Sequence, residues 1–503
     1  MSALELNDIQ GIIRRGYGEL EAACFLLLEV TDAHLARGWL GEIADQIRDG
    51  TAKPDEKDSC LNIAFTQAGF TKLGLEKELS ENERFSIEFE DGMTTKHRGQ
   101  ILADHGESDP DRWDWGGSET TPVHVLLLLY AGNQVALEDF YAVHHAKLQA
   151  GGLAEIRRLD ALELPDRKEH FGFRDGIAQP RIAGLLDKED DKTKGRSQKI
   201  LDQGGSDGNI LAAGEFILGY PNVYSKIPAS PKVKAASDGT GYLKGDGKDV
   251  RDFGRNGSYL VFRQLRQNVR EFWTYIDEKT RNPDGSSNAE ERDKLAAKMV
   301  GRWRSGAPLA LAQDRDDPSL RDEDSFGYYR QDRFGEKCPV ASHVRRTNPR
   351  DSLEPENKEP DVALKDANKH RIIRRGRPYG LPMATSMDPE DMLKTEATDQ
   401  EVGLQFLCFN ANIGRQFEFI QHTWINNPKF AELYSEADPL LGDNHAKSVD
   451  RGIFGNFVAP GKPLRRRVSD LQRFVDVRGG AYFFMPGIGA IRYLAHLREP
   501  KEG

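Results

Sequence analysis

The 503-residue sequence predicts an α+β fold, a duplicated ferredoxin-like arrangement of two β-α-β-β-α-β units with antiparallel sheets and peripheral helices. Three observations lead there. One order of apolar strands and amphipathic helices occurs twice, the strands are short continuous apolar runs, and the remaining length falls in polar, charge-dense segments that read as loops. In the first set, Ala22 to Val30 reads as a strand. A helix follows, with Leu35, Trp39, Ile43 and Ile47 at four-residue spacing. Leu61 to Phe65 and Val123 to Ala131 read as the next two strands. A helix carrying Leu137, Tyr141, His144 and Leu148 precedes a last strand over Ile156 to Leu164. A charged insertion occupies residues 76–120. In the second set, Tyr259 to Leu265 is a strand, and Val269, Phe272, Trp273 and Ile276 mark a helix at i, i+3, i+4 and i+7. A further helix carries Leu295, Met299 and Trp303. Leu404 to Phe409 is a strand, Phe417, Ile420 and Trp424 mark a helix, and Tyr482 to Met485 closes the set. The expected division is an N-terminal unit over residues 1–165 and a C-terminal unit over 166–503. Residues 184–209, 313–326 and 353–367 read as surface insertions.

Composition narrows the function classes. Hydrophobic residues make up 38% and charged residues 30%, as in a hydrated globular protein. No apolar run approaches the ~20 residues that span a bilayer. The start MSALELNDIQG lacks a basic segment followed by an apolar one, so a cytoplasmic location is expected if this is the natural N-terminus. A net charge of −11 disfavours nucleic-acid binding. Within that acidic background, Arg345, Arg346 and Arg350 and then Arg371, Arg374, Arg375 and Arg377 form two basic runs, which point to a buried or bound anion. The four cysteines form no C-x-x-C pair, which argues against zinc and against covalently attached haem. Gly247-Lys248 is followed by Asp249, so that Gly-rich stretch is not read as a phosphate loop. No H-E-x-x-H or G-x-S-x-G run occurs. The sequence leaves self-association open.

Three runs carry the chemistry. Gly172-Phe173-Arg174-Asp175-Gly176 places an acid between glycines, which permit positive φ and close approach. Cys338-Pro339-Val340-Ala341-Ser342-His343 ends on a histidine, and Ile372 to Gly380 reads IIRRGRPYG. An acid, a histidine and an arginine in these settings suit a haem peroxidase site. With CPVASHVRRTNPR over Cys338 to Arg350, the three runs in this order resemble the dye-decolourising peroxidase family, in particular its longer subclass. The likeness extends from Ile9-Gln10-Gly11 to Tyr482-Phe483-Phe484.

The resemblance implies one haem b per chain and peroxide-dependent oxidation of dyes and phenols. It makes His343 the proximal iron ligand, with Cys338 and His422 as rivals, and Asp438 its carboxylate partner, with Asp443 in reserve. Asp175 becomes the distal acid–base residue and Arg374, rather than Arg375, the distal arginine. Leu404 and Phe406 resemble the apolar pair that walls the distal side. Arg345 is expected to contact the cofactor, and Tyr379 to relay electrons from bulky donors oxidised at the surface. Rival readings are an enzyme that removes iron from haem and a non-enzymatic haem store or carrier; the Asp175 and Arg374 pair argues against a carrier.

Overall fold

The computed structural model describes residues 3–55, 57–186, 191–353, 359–384, 386–395, 400–444, 455–461 and 464–497. Its centre is one nine-stranded sheet assembled from two half-sheets. The first contains β1 (Ala22–Val30), β2 (Ser59–Phe65), β3 (Val125–Ala131) and β4 (Leu153–Leu162), in the order β2-β3-β1-β4 with antiparallel neighbours. The second contains β5 (Ser258–Gln267), β6 (Ile373–Arg374), β7 (Arg377–Tyr379), β8 (Gly403–Asn410) and β9 (Val475–Met485). Its order is β9-β5-β8, with β6 and β7 both pairing the outer edge of β8. Counting β6 and β7 as one interrupted strand, both half-sheets have the 4-1-3-2 order of a ferredoxin-like unit.

Both faces of the sheet are covered, which is why β1 and β3 read as continuous apolar runs. Ala23, Phe25 and Leu27 face a core shared by the two halves, with Tyr130, Phe262, Phe409 and Phe483. Cys24, Leu26 and Leu28 face the other way, toward the helices. On that side lie α1 (Ala33–Ile43), α2 (Gln134–Leu148), α3 (Val269–Thr280) and α4 (Ala289–Val300). Side chains cap three of them. Asp32 accepts from Leu35 N–H at 3.0 Å, Asn133 from Ala136 N–H at 2.9 Å, and Asn288 from Glu291 N–H at 3.1 Å.

Several boundaries differ from expectation. Leu35 is exposed and Ile47 lies beyond α1, bridged to Leu61. Leu35 stands in the first turn, and the helix ends at Ile43, so Trp39 and Ile43 alone of the four carry its buried face. Trp303 lies outside α4, because Gly301 ends the helix in the left-handed conformation, φ 100°. The residues expected as a plain helix around Phe417, Ile420 and Trp424 form two π-helical turns, Gly414–Glu418 and Ile420–Ile425. The short strands β6 and β7 were not read from the sequence at all. Of the expected surface insertions, residues 354–358 and 187–190 lie outside the described residues. Among the described residues, no helix is long and apolar enough to cross a membrane.

The seam between the half-sheets is narrow. Only Phe65 of β2 pairs Phe484 of β9. Gln10, fully buried, reinforces it: its Nε2 donates to Ile63 O (2.8 Å) and Pro486 O (2.9 Å), and its Oε1 accepts from Ile63 N–H (3.0 Å). Gln10→Leu keeps the volume and strands those backbone groups. It is expected to cost about 2–4 kcal/mol, since each unsatisfied buried group costs about 1–3 kcal/mol. Chemical denaturation of both proteins measures this; a midpoint unchanged from wild type would remove Gln10 from the account of the seam.

Candidate active site

The helix-covered face of the second half-sheet floors a cavity with about 1730 Å³ of empty space, counting its open mouth. Strand register decides which side chains face it. Arg374 of β6 lies opposite Cys408 of β8, so it projects from the same face as Leu404 and Phe406. Arg263 and Leu265 of β5 pair with Phe406 and Leu404 and share that face, and Val475 and Val477 of β9 extend it. Other walls come from α5 (His343–Thr347), from Phe417, Ile420, Gln421 and Ile425 of the π-helical turns, and from Leu440 and Leu441. Thus the structure brings Asp175, Arg374, His343, Leu404 and Phe406 to one cavity.

Asp175 sits in a local backbone that only its glycines allow: Gly172 and Gly176 have φ of 90° and 79°. Its Oδ1 accepts from Arg374 Nη1 at 2.7 Å and from Gly176 N–H at 2.6 Å. Oδ2 has no bonded partner among the described residues. The side chain is 42% exposed, and it lines the cavity. Burial pushes the Asp175 carboxyl up, but the charge of Arg374, its hydrogen bond and the Gly176 N–H outweigh this and hold it below the ordinary aspartate value. Arg374 is held in turn by a residue the sequence reading missed. Gln179 Oε1 accepts from Arg374 N–H at 3.1 Å, and Gln179 Nε2 donates to Arg374 O at 3.3 Å. The neighbouring Arg375 points elsewhere and donates to the carbonyls of Ile12, Ile13 and Arg14.

His343 opens α5. Its Nδ1 lies 2.9 Å from Oδ2 of the fully buried Asp438, and Nε2 has no hydrogen bond among the described residues. Asp438 Oδ1 accepts from the N–H groups of Leu440 and Leu441, both at 2.9 Å. Burial opposes ionisation of Asp438, and His343 and these donors reverse that, so its carboxyl stays below the ordinary range. An ionised carboxylate on Nδ1 fixes the ring and raises the basicity of Nε2.

Other expected positions fall differently. Arg345 does not line the cavity. Its guanidinium is buried on Asp332 (3.2 Å), on the carbonyls of Asp332, Cys338 and Arg333, and over the Tyr328 ring. Helix residues two positions apart project about 200° apart, so Arg345 faces away from His343. Tyr379 is buried on β7 and donates to Glu401 Oε1 at 2.7 Å. Cys338 is buried against Ser342 Oγ, 3.1 Å away, with its thiol pushed up by burial, and His422 is exposed. Neither lines the cavity. Glu169 was not singled out in the sequence. It accepts from Phe171 N–H and Phe173 N–H, both at 2.9 Å, and burial pushes it up to about 7 beside Asp175. Nothing in the sequence marked it, because its burial comes from chain far away in order, Gln267 included.

The cavity gathers an acid, an arginine and a histidine, and comparison with known proteins gives the family. No family model matches the chain. Curated relatives include Peroxidase 2 of Mycetinis scorodonius, 30% identical over 97% of this chain and 87% of that protein. The multifunctional dye peroxidase DyP2 of an Amycolatopsis species is 32% identical over 77% of this chain and 74% of its own length. Among solved structures, a decolorizing peroxidase of Auricularia auricula-judae aligns with TM-score 0.73 at 26% identity, over 98% of this chain and all of that one. An ancestral D-type dye-decolorizing peroxidase aligns with TM-score 0.72 at 25% identity, over 98% and 99%. The chain belongs to the dye-decolorizing peroxidase family and is a haem peroxidase.

The residues present fit a haem. The cavity walls are mainly apolar, one imidazole nitrogen is unbonded, and its partner nitrogen is fixed by a buried carboxylate. Arg371 and Asn348 also line the cavity, and Arg371 Nη2 and Asn348 Nδ2 are buried donors without a partner among the described residues, suited to the carboxylates of a propionate-bearing macrocycle. His343→Ala is therefore expected to lose or greatly weaken the Soret band of the purified protein. Asp438→Asn is expected to lower haem affinity by about 10–100-fold. Apo-protein titration with haem checks both, and an unchanged spectrum in His343→Ala would move the ligand assignment elsewhere.

Proposed function

We propose that the protein uses hydrogen peroxide to oxidise dyes, phenols and similar bulky aromatic donors by one-electron steps, with one haem b per chain held by His343. The observation that carries this reading is the Asp175–Arg374 ion pair at 2.7 Å in the cavity that also holds the His343–Asp438 pair. When bound, the haem supplies the iron that takes up peroxide and accepts its oxidising equivalents. The chain supplies proton handling. Asp175, ionised, takes the proton from one peroxide oxygen at its unbonded Oδ2 and returns it to the departing oxygen. Arg374 holds Asp175 in that state and stabilises negative charge as the O–O bond breaks. A store or carrier has no use for such a pair. The absence of a C-x-x-C-H run favours the non-covalent b type. The strands of the two halves fall within residues 22–162 and 258–485, which supports a division into a unit over 1–165 and a haem-binding unit over 166–503.

Leu404 and Phe406 wall the distal side and restrict it to small molecules, so bulky donors give up electrons at the surface. Tyr379 is suited to relay them. It lies one register position from Leu404 on the paired strands, since Pro378 faces Leu404 and Tyr379 faces Gly403. Glu401 stands ready to take its hydroxyl proton on oxidation, and Arg478 Nε lies 3.2 Å from Glu401 Oε2. Tyr379 is buried, so the dye would dock over Glu401 and Arg478 rather than on the ring itself.

The reading makes two sets of expectations. Asp175→Asn should lower the stopped-flow rate of the peroxide reaction by about 10²–10⁴-fold. Wild-type rate falls as pH drops through the depressed Asp175 pKa, because the base must be ionised. Arg374→Leu removes the main influence holding that pKa down, so the acid limb should move to higher pH as the rate falls. Unaltered rates in both variants, or a rate flat across the acid range, would refute these roles. Tyr379→Phe should slow oxidation of a polycyclic dye and leave the peroxide reaction and a small phenol unaffected; unaltered dye kinetics would exclude Tyr379 as the relay.

A further inference from the structure

Asp175 stands on one arm of a short hairpin whose turn is closed by a carboxylate that the proposed peroxide chemistry does not use. The arms are in register. Asp175 N–H donates to Arg167 O at 2.9 Å, Lys168 bridges Arg174, and Glu169 N–H donates to Phe173 O at 2.9 Å. Gly172, at φ 90°, turns the chain and donates its N–H to Glu169 O at 2.8 Å. The N–H groups of Phe171 and Phe173 donate instead to the Glu169 side chain, to Oε2 and Oε1 respectively, each at 2.9 Å. One side chain thus holds both flanks of Gly172.

The same carboxylate ties the hairpin to the sheet. Gln267, the last residue of β5, donates from Nε2 to Glu169 Oε2 at 2.5 Å, and its own N–H is held by Val402 O at 2.9 Å. Arg374 is referred to the same sheet, since β6 pairs β8 and β8 pairs β5. Both members of the Asp175–Arg374 pair are therefore placed from one frame, Arg374 through strand pairing and Asp175 through Glu169. The rings of Phe171 and Phe173 line the cavity and are packed from α3. The centroids of Phe171 and Phe272 are 4.6 Å apart, Phe173 is stacked on Trp273, and Trp273 Nε1 donates to Phe171 O at 3.2 Å. None of these contacts replaces the acceptors that Glu169 gives to the two N–H groups.

The residue type matters. Two separate oxygens are needed, and a carboxyl has them in either protonation state, because the protonated form keeps lone pairs on both. A glutamine of equal size has one acceptor, and its NH2 group would face an N–H donor. Among the described residues no cation lies within ion-pair distance of Glu169, and burial pushes its carboxyl up to about 7. A carboxyl in that setting costs stability relative to a neutral side chain, so stability does not account for it.

We propose that Glu169 is a positioning residue for the peroxide step, holding the Gly172 turn closed so that Asp175 meets Arg374 with its Oδ2 left unbonded for the peroxide. This role rests on the acid–base function proposed for Asp175 and adds the residue through which the sheet places it.

Two measurements test it. In apo-protein, hydrogen exchange of the peptide spanning residues 167–176, followed by mass spectrometry, should be about tenfold faster in Glu169→Gln than in wild type. In holoenzyme near neutral pH, Glu169→Gln should keep its Soret band, because His343 and Asp438 lie on other elements, and should react with peroxide about 10–100-fold more slowly. In an Asp175→Asn background the same substitution should change the rate by less than about twofold, since Glu169 acts through Asp175. A merely structural role would slow both backgrounds alike. Gln267→Met removes one donor to the carboxylate and leaves the hairpin sequence intact. It should slow the peroxide reaction about threefold, again only while Asp175 is present. Should Glu169→Gln yield no holoenzyme, Gln267→Met decides, and an unchanged rate there would overturn the proposal. So would a wild-type peroxide rate in folded Glu169→Gln, unchanged exchange over residues 167–176, or equal slowing in both backgrounds. If Asp175→Asn itself reacts at the wild-type rate, the acid–base role of Asp175 fails and this proposal with it. If Asp175→Asn is slow and Glu169→Gln is not, the assignment of Glu169 alone fails.

Discussion

A carboxylate held in a largely apolar cavity stays ionised only with a fixed cation in contact with it, and the residues around Asp175 are organised to keep Arg374 there. Burial raises the cost of its charge, and Arg374 reverses the balance. Arg374 can do so only if its own backbone is immobile, yet β6 is two residues long at the edge of the sheet. The backbone is secured from outside the strand. Gln179 engages both its N–H and its C=O, and the pairing with β8 fixes the face from which it projects. Gly376 then lets the chain pass against β8, where a Cβ would stand 2.4 Å from Gln405 O. Arg375 ties the same turn to the carbonyls of residues 12–14 in the first half. The ion pair is therefore braced by both halves of the molecule.

The two faces of the sheet have separate duties. One is sealed into the core shared by the halves, where aromatic and aliphatic side chains interdigitate. The other carries the cavity, with its floor of β5, β8 and β9 side chains and a roof that includes α5 and the π-helical turns. Strands hold side chains at a fixed spacing and direction, which suits a site in which two charged pairs must keep their positions. The π-helical turns are an irregularity at the point where Phe417, Ile420 and Ile425 reach the cavity, a common setting for such turns.

Much of this was legible in the sequence, for identifiable reasons. Strands such as Ala22–Val30 and Val125–Ala131 are buried on both faces, so their burial appears as an unbroken apolar run. The glycines around Asp175 announced an unusual backbone, and both adopt positive φ. Asp438 stands against His343 as the resemblance implied. The strand that carries Arg374 was not legible, because IIRRGRPYG is charged, interrupted by glycine and proline, and paired along only one edge. Gln179 and Glu169 act through partners far off in sequence, Arg374 and Gln267, which no local pattern reveals. Arg345 stays out of the cavity lining for a local reason: a helix turns nearby side chains onto different faces, and a basic run beside His343 is not thereby a basic patch around the cavity.

The central claim is geometric: one cavity holds His343 backed by Asp438 and Asp175 paired with Arg374, and a cofactor bound there would lie between the two pairs. A crystal structure of the purified holoenzyme tests it most directly. The account predicts iron bonded to His343 Nε2, the Nδ1–Asp438 contact intact, and Asp175 and Arg374 facing the opposite side of the macrocycle. Iron bonded to another residue, or Asp175 on the same side as His343, would contradict it.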